Sequence, residues 1–218
     1  MQRVGVILCG CGRYDGSEIH ESTLALLHLA RAGAQVQCAA PEGPQWAVCD
    51  SFTGQPIAGA SRSMRVEAAR IARGAVAPLE QLRAGDLDAV ILPGGSGAAR
   101  NLGDFAVRGA HGQVRPELAQ LLRALHAAGK PIGAICIAPA LVALALAAHR
   151  PRLTLGTLDG PAQQAAAAGA EMLPCAVDDI VVDERNRIVS TPAYILARSI
   201  REVDAGIGKL VRRVLEMA

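Results

Sequence analysis

Short runs of Val, Ile and Leu alternate along this chain with longer stretches whose leucines and alanines recur every three or four positions, and glycines mark the joins. Strands buried on both faces read as near-continuous apolar runs, so the alternation predicts an α/β protein, a mostly parallel sheet sandwiched by helices. Arg3–Leu8 reads as the first strand, with a glycine-rich loop over Cys9–Gly16. A helix capped at or beside Ser17 is predicted through Ala32, where Gly33 supplies a left-handed end. Gln35–Ala40 is a second strand, Trp46–Ile57 two extended pieces turning at Thr53-Gly54, and Ser63–Arg73 a helix. Asp88–Leu92 is a buried strand that stops at Pro93-Gly94-Gly95. A helix over Pro116–Ala128, a strand over Pro131–Ile135 and a helix over Ile137–Ala147 follow. Leu153–Gly156 reads as a strand and Pro161–Ala168 as a short helix. Val177–Val182 and Arg187–Ser190 form a small β-hairpin addition, and Tyr194–Met217 the closing helix. No repeat or shift in composition divides residues 1–218, which are read as a single domain.

Composition narrows this picture. Half the residues (51%) are apolar but only 2% are aromatic, so the core is aliphatic and any pocket poor in stacking surfaces. A net charge of +2 with scattered arginines argues against nucleic acid or an acidic membrane as partner. The apolar run at the amino terminus is too short for a signal peptide. The longest apolar stretch, around Ala138–Ala148, is about half of a bilayer span. A cytoplasmic location is the expectation. The six cysteines include no CxxC pair and the five histidines are scattered, so free thiols are expected and no metal site.

Three segments carry chemistry. In Gly133-Ala134-Ile135-Cys136-Ile137-Ala138-Pro139 a buried strand runs straight into a helix. A cysteine at such a turn faces the helix dipole and free backbone amides, which favour a reactive thiolate, and lies at the carboxyl edge of the sheet where α/β folds bind ligands. Cys136 is equally readable as a small buried hydrophobe. Pro93-Gly94-Gly95-Ser96-Gly97 presents bare amides at the same edge. The amides of Gly95 and Ile137 could form an oxyanion hole, although a Gly-Gly turn alone says little. In Gly16-Ser17-Glu18-Ile19-His20-Glu21, either Glu18 or Glu21 could be held against the thiol, and acidic residues also simply favour a helix start.

The segments CGCGRYDGSEIHES, PGGSGAARNL, GAICIAPA and PCAVDDIVVDERNRIVSTPAYILA resemble the ThiJ/PfpI superfamily, relatives of the class I glutamine amidotransferases, and within it the ElbB-type glyoxalase group. The resemblance runs along essentially the whole chain. It implies a flavodoxin-like fold, a homodimer, and glyoxalase III-type conversion of glyoxal, a small dicarbonyl, to glycolate without glutathione, metal or other cofactor. It matches Cys136 to the nucleophile, Glu21 to the catalytic carboxylate, and Gly95 and Ile137 to the oxyanion amides. Related branches also carry a histidine after the nucleophile, or a His-x-Glu pair. Here only His149 follows Cys136, at a predicted helix end, and no His-x-Glu occurs. His20 and Glu18 are auxiliary candidates, while His28, His111 and His126 read as surface or loop residues. An amidase or amidotransferase borrowing a partner's histidine, or a redox-sensing stress protein, are the competing readings.

Overall fold

The computed structural model describes residues 1–218. Strand β1 (Arg3–Ile7) leads through α1 (Ile19–Arg31) to β2 (Gln35–Ala40), α2 (Met64–Ala72), β3 (Ala77–Pro78) and β4 (Ala89–Leu92). Two one-turn helices, α3 (Ala98–Asn101) and α4 (Phe105–Arg108), precede α5 (Pro116–Ala127), β5 (Ile132–Ile135) and α6 (Ala138–Ala145). Then come β6 (Arg152–Leu153), α7 (Pro161–Ala167), β7 (Glu171–Met172), β8 (Val181–Asp183), β9 (Ile188–Thr191) and α8 (Ile200–Met217). The main sheet has the order β3-β2-β1-β4-β5-β9-β8 and is parallel throughout, except where β8 runs against β9. This is the mostly parallel, helix-sandwiched sheet that the periodicity predicts.

Alternation along each strand divides the interior into two cores, because successive side chains point to opposite faces. Val4, Val6, Leu8, Ile91 and Ile135 pack under α1 and α8. Ile7, Val90, Leu92, Ile132 and Ala134 pack under α5, α6 and α7. Both β4 and β5 are buried over their whole length, as central parallel strands must be. The carboxyl ends of β1, β4 and β5 lie side by side, since all three are parallel neighbours. Every chemistry-bearing loop therefore opens at one edge.

Three expectations are corrected. The closing helix begins at Ile200, not Tyr194. Residues 193–195 form a single tight turn, Ala193 lies at φ 44°, and Ser199 and Glu202 then form a capping box that starts the helix afresh. The hairpin is no appendage, because β9 is the parallel neighbour of β5 and β8 closes that edge of the sheet. The strand expected at Leu153–Gly156 is Arg152–Leu153, and it pairs with β7 in a separate two-stranded sheet. The α1 cap lies beside Ser17, as expected: it is Glu18, whose carboxylate accepts the Glu21 N–H at 2.8 Å. Ser17 is fully buried, its hydroxyl taken by the Cys9 N–H at 2.9 Å.

Candidate active site

Cys136 stands between β5 and α6 at φ 59°, a left-handed backbone that costs a non-glycine residue about 1–2 kcal/mol. The strain is held by neighbours on both sides. Its N–H donates to the Thr191 carbonyl of β9 at 2.9 Å, continuing the β5–β9 ladder one residue past the strand, and Pro139 stiffens the first turn of α6. The sharp turn aims the side chain out of the sheet edge, although only 8% of the residue is exposed.

The β4–α3 loop lies directly over the sulfur. A Cβ on Gly94 would come within 2.6 Å of the Cys136 Cβ and 2.9 Å of Glu21 Oε2, so this close approach requires glycine. Gly95 adopts φ 105°, and a side chain there would meet the Gly16 carbonyl at 2.7 Å. The two loops interlock: the Glu18 N–H donates to the Gly94 carbonyl at 2.9 Å, and the Gly97 N–H to the Arg13 carbonyl at 3.3 Å. The buried Asn101 adds a clamp, its Nδ2 donating to the carbonyls of Cys9 and Asp15, each at 2.8 Å. The Gly95 and Ile137 amides act on the Cys136 thiol in the direction that favours its ionised form.

Glu21, in the first turn of α1, is completely buried. Its Oε2 accepts the Gly94 N–H at 2.9 Å and its Oε1 the Tyr194 N–H at 3.4 Å, and the Gly94 backbone brings the carboxyl beside Cys136. Of the two candidate glutamates, the structure brings Glu21 against the sulfur and leaves Glu18 as the helix cap at the cavity wall. Burial, followed by the Glu18 carboxylate, pushes Glu21 up to about 8, against the lowering effect of the thiol and the two amides. Burial, then the Glu21 carboxylate, likewise holds the Cys136 thiol well above its ordinary range, opposed by the Gly95 and Ile137 amides. This corrects the thiolate expected from the helix dipole. A dipole contributes roughly 0.3–1 kcal/mol, whereas full burial shifts a titration by several times that. The resting pair is proton-rich.

A cavity of about 680 Å³ opens onto the sulfur, lined among others by Glu18, His20, Gly95, Ile137 and Tyr194. His20 lines this cavity together with Cys136, and its Nδ1 is hydrogen-bonded to the Tyr194 hydroxyl at 2.6 Å. His149 lies elsewhere, its ring 4.1 Å from that of His126. His28 and His126 are not loop residues. His28 joins α1 to α8 through Asp204 at 2.8 Å, and His126 in α5 is hydrogen-bonded to Asn186. Tyr194 and Thr191 were missed by the residue pattern. Tyr194, one of two tyrosines in so aromatic-poor a chain, was the available signal.

The DJ-1/PfpI family model matches residues 8–195. The chain is 44% identical to the human mitochondrial glutamine amidotransferase-like class 1 domain-containing protein 3, over 99% of the chain and 83% of that protein. It is 42% identical to the mitochondrial ES1 protein homolog of Rattus norvegicus, over 99% and 84%. A crystal structure of an isoprenoid biosynthesis protein with amidotransferase-like domain from Ehrlichia chaffeensis superposes with a TM-score of 0.91 at 34% identity, covering 99% of this chain and all of that one. The relatives' names overturn the cytoplasmic expectation, because the human, rat and zebrafish (Danio rerio) proteins are all named mitochondrial. No helix is long and apolar enough to cross a membrane. A match over most of the chain and relatives above 40% identity along its length make this chain a member of the DJ-1/PfpI family.

Proposed function

We propose that the chain is a cofactor-independent glyoxalase III-type enzyme of the ElbB-like branch, converting glyoxal to glycolate with Cys136 as nucleophile and Glu21 as acid and base. The observation that carries this reading is the fully buried Glu21 carboxyl packed beside Cys136 at the Gly94 backbone, while the His20 Nδ1 is engaged by the Tyr194 hydroxyl. A carboxyl held near 8 can give and take a proton around neutral pH, the property an isomerisation through an enediol requires.

In the proposed sequence, ionised Glu21 accepts the thiol proton as the sulfur bonds to one aldehyde carbon, and the Gly95 and Ile137 amides hold the alkoxide. Glu21 returns that proton to the oxygen, giving a neutral hemithioacetal. Glu21, ionised again, removes the C–H proton from the sulfur-bearing carbon, and the electron pair moves onto the neighbouring carbonyl oxygen. The hydroxyl proton of the first carbon passes to that oxygen. Glu21 then delivers its proton to the second carbon, leaving a thioester of glycolic acid. One water cleaves the thioester and restores the thiol, so the balance is glyoxal plus water to glycolic acid. We include the homodimer implied by the family resemblance in the same proposal, to be checked by sedimentation equilibrium.

The test is glycolate formation by purified protein supplied with glyoxal. Cys136→Ala and Glu21→Gln are each expected to remove nearly all turnover. Activity retained in Cys136→Ala overturns the mechanism. The amidotransferase-like name of the human relative supports a second reading. Ammonia release from glutamine would establish it in place of the first, with His20, hydrogen-bonded to Tyr194 in the same cavity, as the base that reaction needs.

A further inference from the structure

The cavity at the sulfur is far larger than a two-carbon dicarbonyl requires, and it continues. A second cavity of about 610 Å³ shares Ser96 and Ile137 with the first, so the two form one trough along the β4–α3 loop. Each volume by itself is in the range of pockets that enclose whole metabolites. Of the chain's five aromatic side chains (one Trp, two Tyr, two Phe), four gather here. Tyr194 and Phe105 line the trough. Tyr14 and Trp46 lie beneath two arginines.

Those arginines are the unexplained feature. Arg13 lines the Cys136 cavity with its guanidinium 4.6 Å from the centre of the Tyr14 ring, and Arg100 lines the second with its guanidinium 4.1 Å from that of Trp46. Trp46 Nε1 donates to the Tyr14 carbonyl at 3.3 Å, which ties the two stacks together. Neither guanidinium has a carboxylate partner or a side-chain hydrogen bond, whereas Arg108 on the same trough is paired with Asp104. Two guanidiniums held over aromatic rings, with their donor forks unspent, match the planar oxygens of a carboxylate or phosphate. Glu18, on the α1 side of the cavity, repels an anion from that wall.

We infer that this trough binds an aldehyde or 2-oxoaldehyde whose tail ends in an anionic group, the carbonyl resting on Cys136 and the anion on Arg13 and Arg100. This rests on the carbonyl chemistry proposed above and names its substrate class.

The test has two arms. In the first, Cys136 is alkylated with iodoacetate and with iodoacetamide, and the rates are read at its own peptide by mass spectrometry. This arm requires no turnover. The iodoacetate-to-iodoacetamide ratio is expected to fall roughly tenfold in Arg100→Gln and in Arg13→Gln, the loss of one favourable charge contact. In the unaltered protein, high salt is expected to lower the same ratio, a readout free of folding effects. A ratio indifferent to both substitutions and to salt overturns the anion subsite. In the second arm, kcat/KM is compared for 4,5-dioxopentanoate, 3-phosphooxy-2-oxopropanal and neutral 2-oxohexanal. Preference for either anion over the neutral compound, reduced in Arg100→Gln, supports the assignment and tells carboxylate from phosphate. Equal kcat/KM for all three overturns it. Turnover of none of them would instead remove the carbonyl reading and leave the alkylation ratio to decide the subsite.

Discussion

Glu21 makes stability depend on pH in a direction opposite to that of most carboxylates. Its pKa rises from an ordinary 4.5 to about 8 on folding, so the folded state binds the proton more tightly than the unfolded one. The stabilisation is complete below pH 4.5 and is lost as pH rises toward and through 8. Each pH unit inside that window costs about 1.4 kcal/mol, so between pH 5 and 8 the native protein should lose on the order of 3 kcal/mol through this one group. The upper limit is chosen because an unfolded cysteine still keeps most of its proton at pH 8, which leaves Cys136 nearly silent. Glu21→Gln keeps the shape and an acceptor oxygen for the Gly94 N–H but has no charge to bury. Urea unfolding followed by circular dichroism at pH 5, 6, 7 and 8 measures both proteins. The wild type should weaken relative to the variant by about 3 kcal/mol over the series, a large part of a typical domain's 5–15 kcal/mol. Parallel pH profiles for the two proteins would refute the reasoning, since Glu21 would then be as easily ionised in the fold as outside it.

Three further outcomes are expected. If Glu21 must ionise to accept protons, kcat/KM for glyoxal should climb with pH and level off above about 8, and a flat profile from pH 6 to 9 would count against that role. Gly94→Ala should cost about 1–3 kcal/mol in urea unfolding and reduce glyoxal turnover on the order of a hundredfold, because its new methyl would displace both Cys136 and Glu21. Ser199→Ala removes the capping box of α8 and should lower Tm by about 2–4 °C, a loss of about 1 kcal/mol. Calorimetry reads that shift, and turnover should persist because Ser199 is exposed and outside the cavity.

Where a segment's fate depends on its own residues, the sequence reading and the structure agree closely. Gln35–Ala40 occupies the predicted strand, and Ser63 and Arg73 are the two caps of α2. The apolar runs of β4 and β5 announce central strands because burial on both faces leaves no polar position. Agreement fails where the deciding partner is remote in sequence. Residues 194–199 have helical composition, yet the Tyr194 N–H is directed to Glu21, 173 positions away, and the chain must turn there before α8 can begin. The hairpin looked peripheral because no local feature reports that β9 pairs with β5.

The protonation state of the thiol follows the same division. The turn at Cys136 is a local feature and points to a thiolate through the helix dipole and free amides. What determines the proton is instead the depth at which three separate loops enclose the sulfur, together with a carboxyl delivered by α1. A histidine at that position would become a cation and draw out the thiolate, as acyl transfer from an unreactive amide demands. A buried carboxyl does the reverse. It keeps the pair proton-rich, slows attack on weak electrophiles, and retains a proton beside the carbon that must receive one. Aldehydes are electrophilic enough to react with a neutral thiol given a neighbouring base, whereas amides are not. Under the mechanism proposed above, a buried glutamate beside the thiol suits carbonyl isomerisation better than amide hydrolysis, on a fold whose relatives carry amidotransferase-like names.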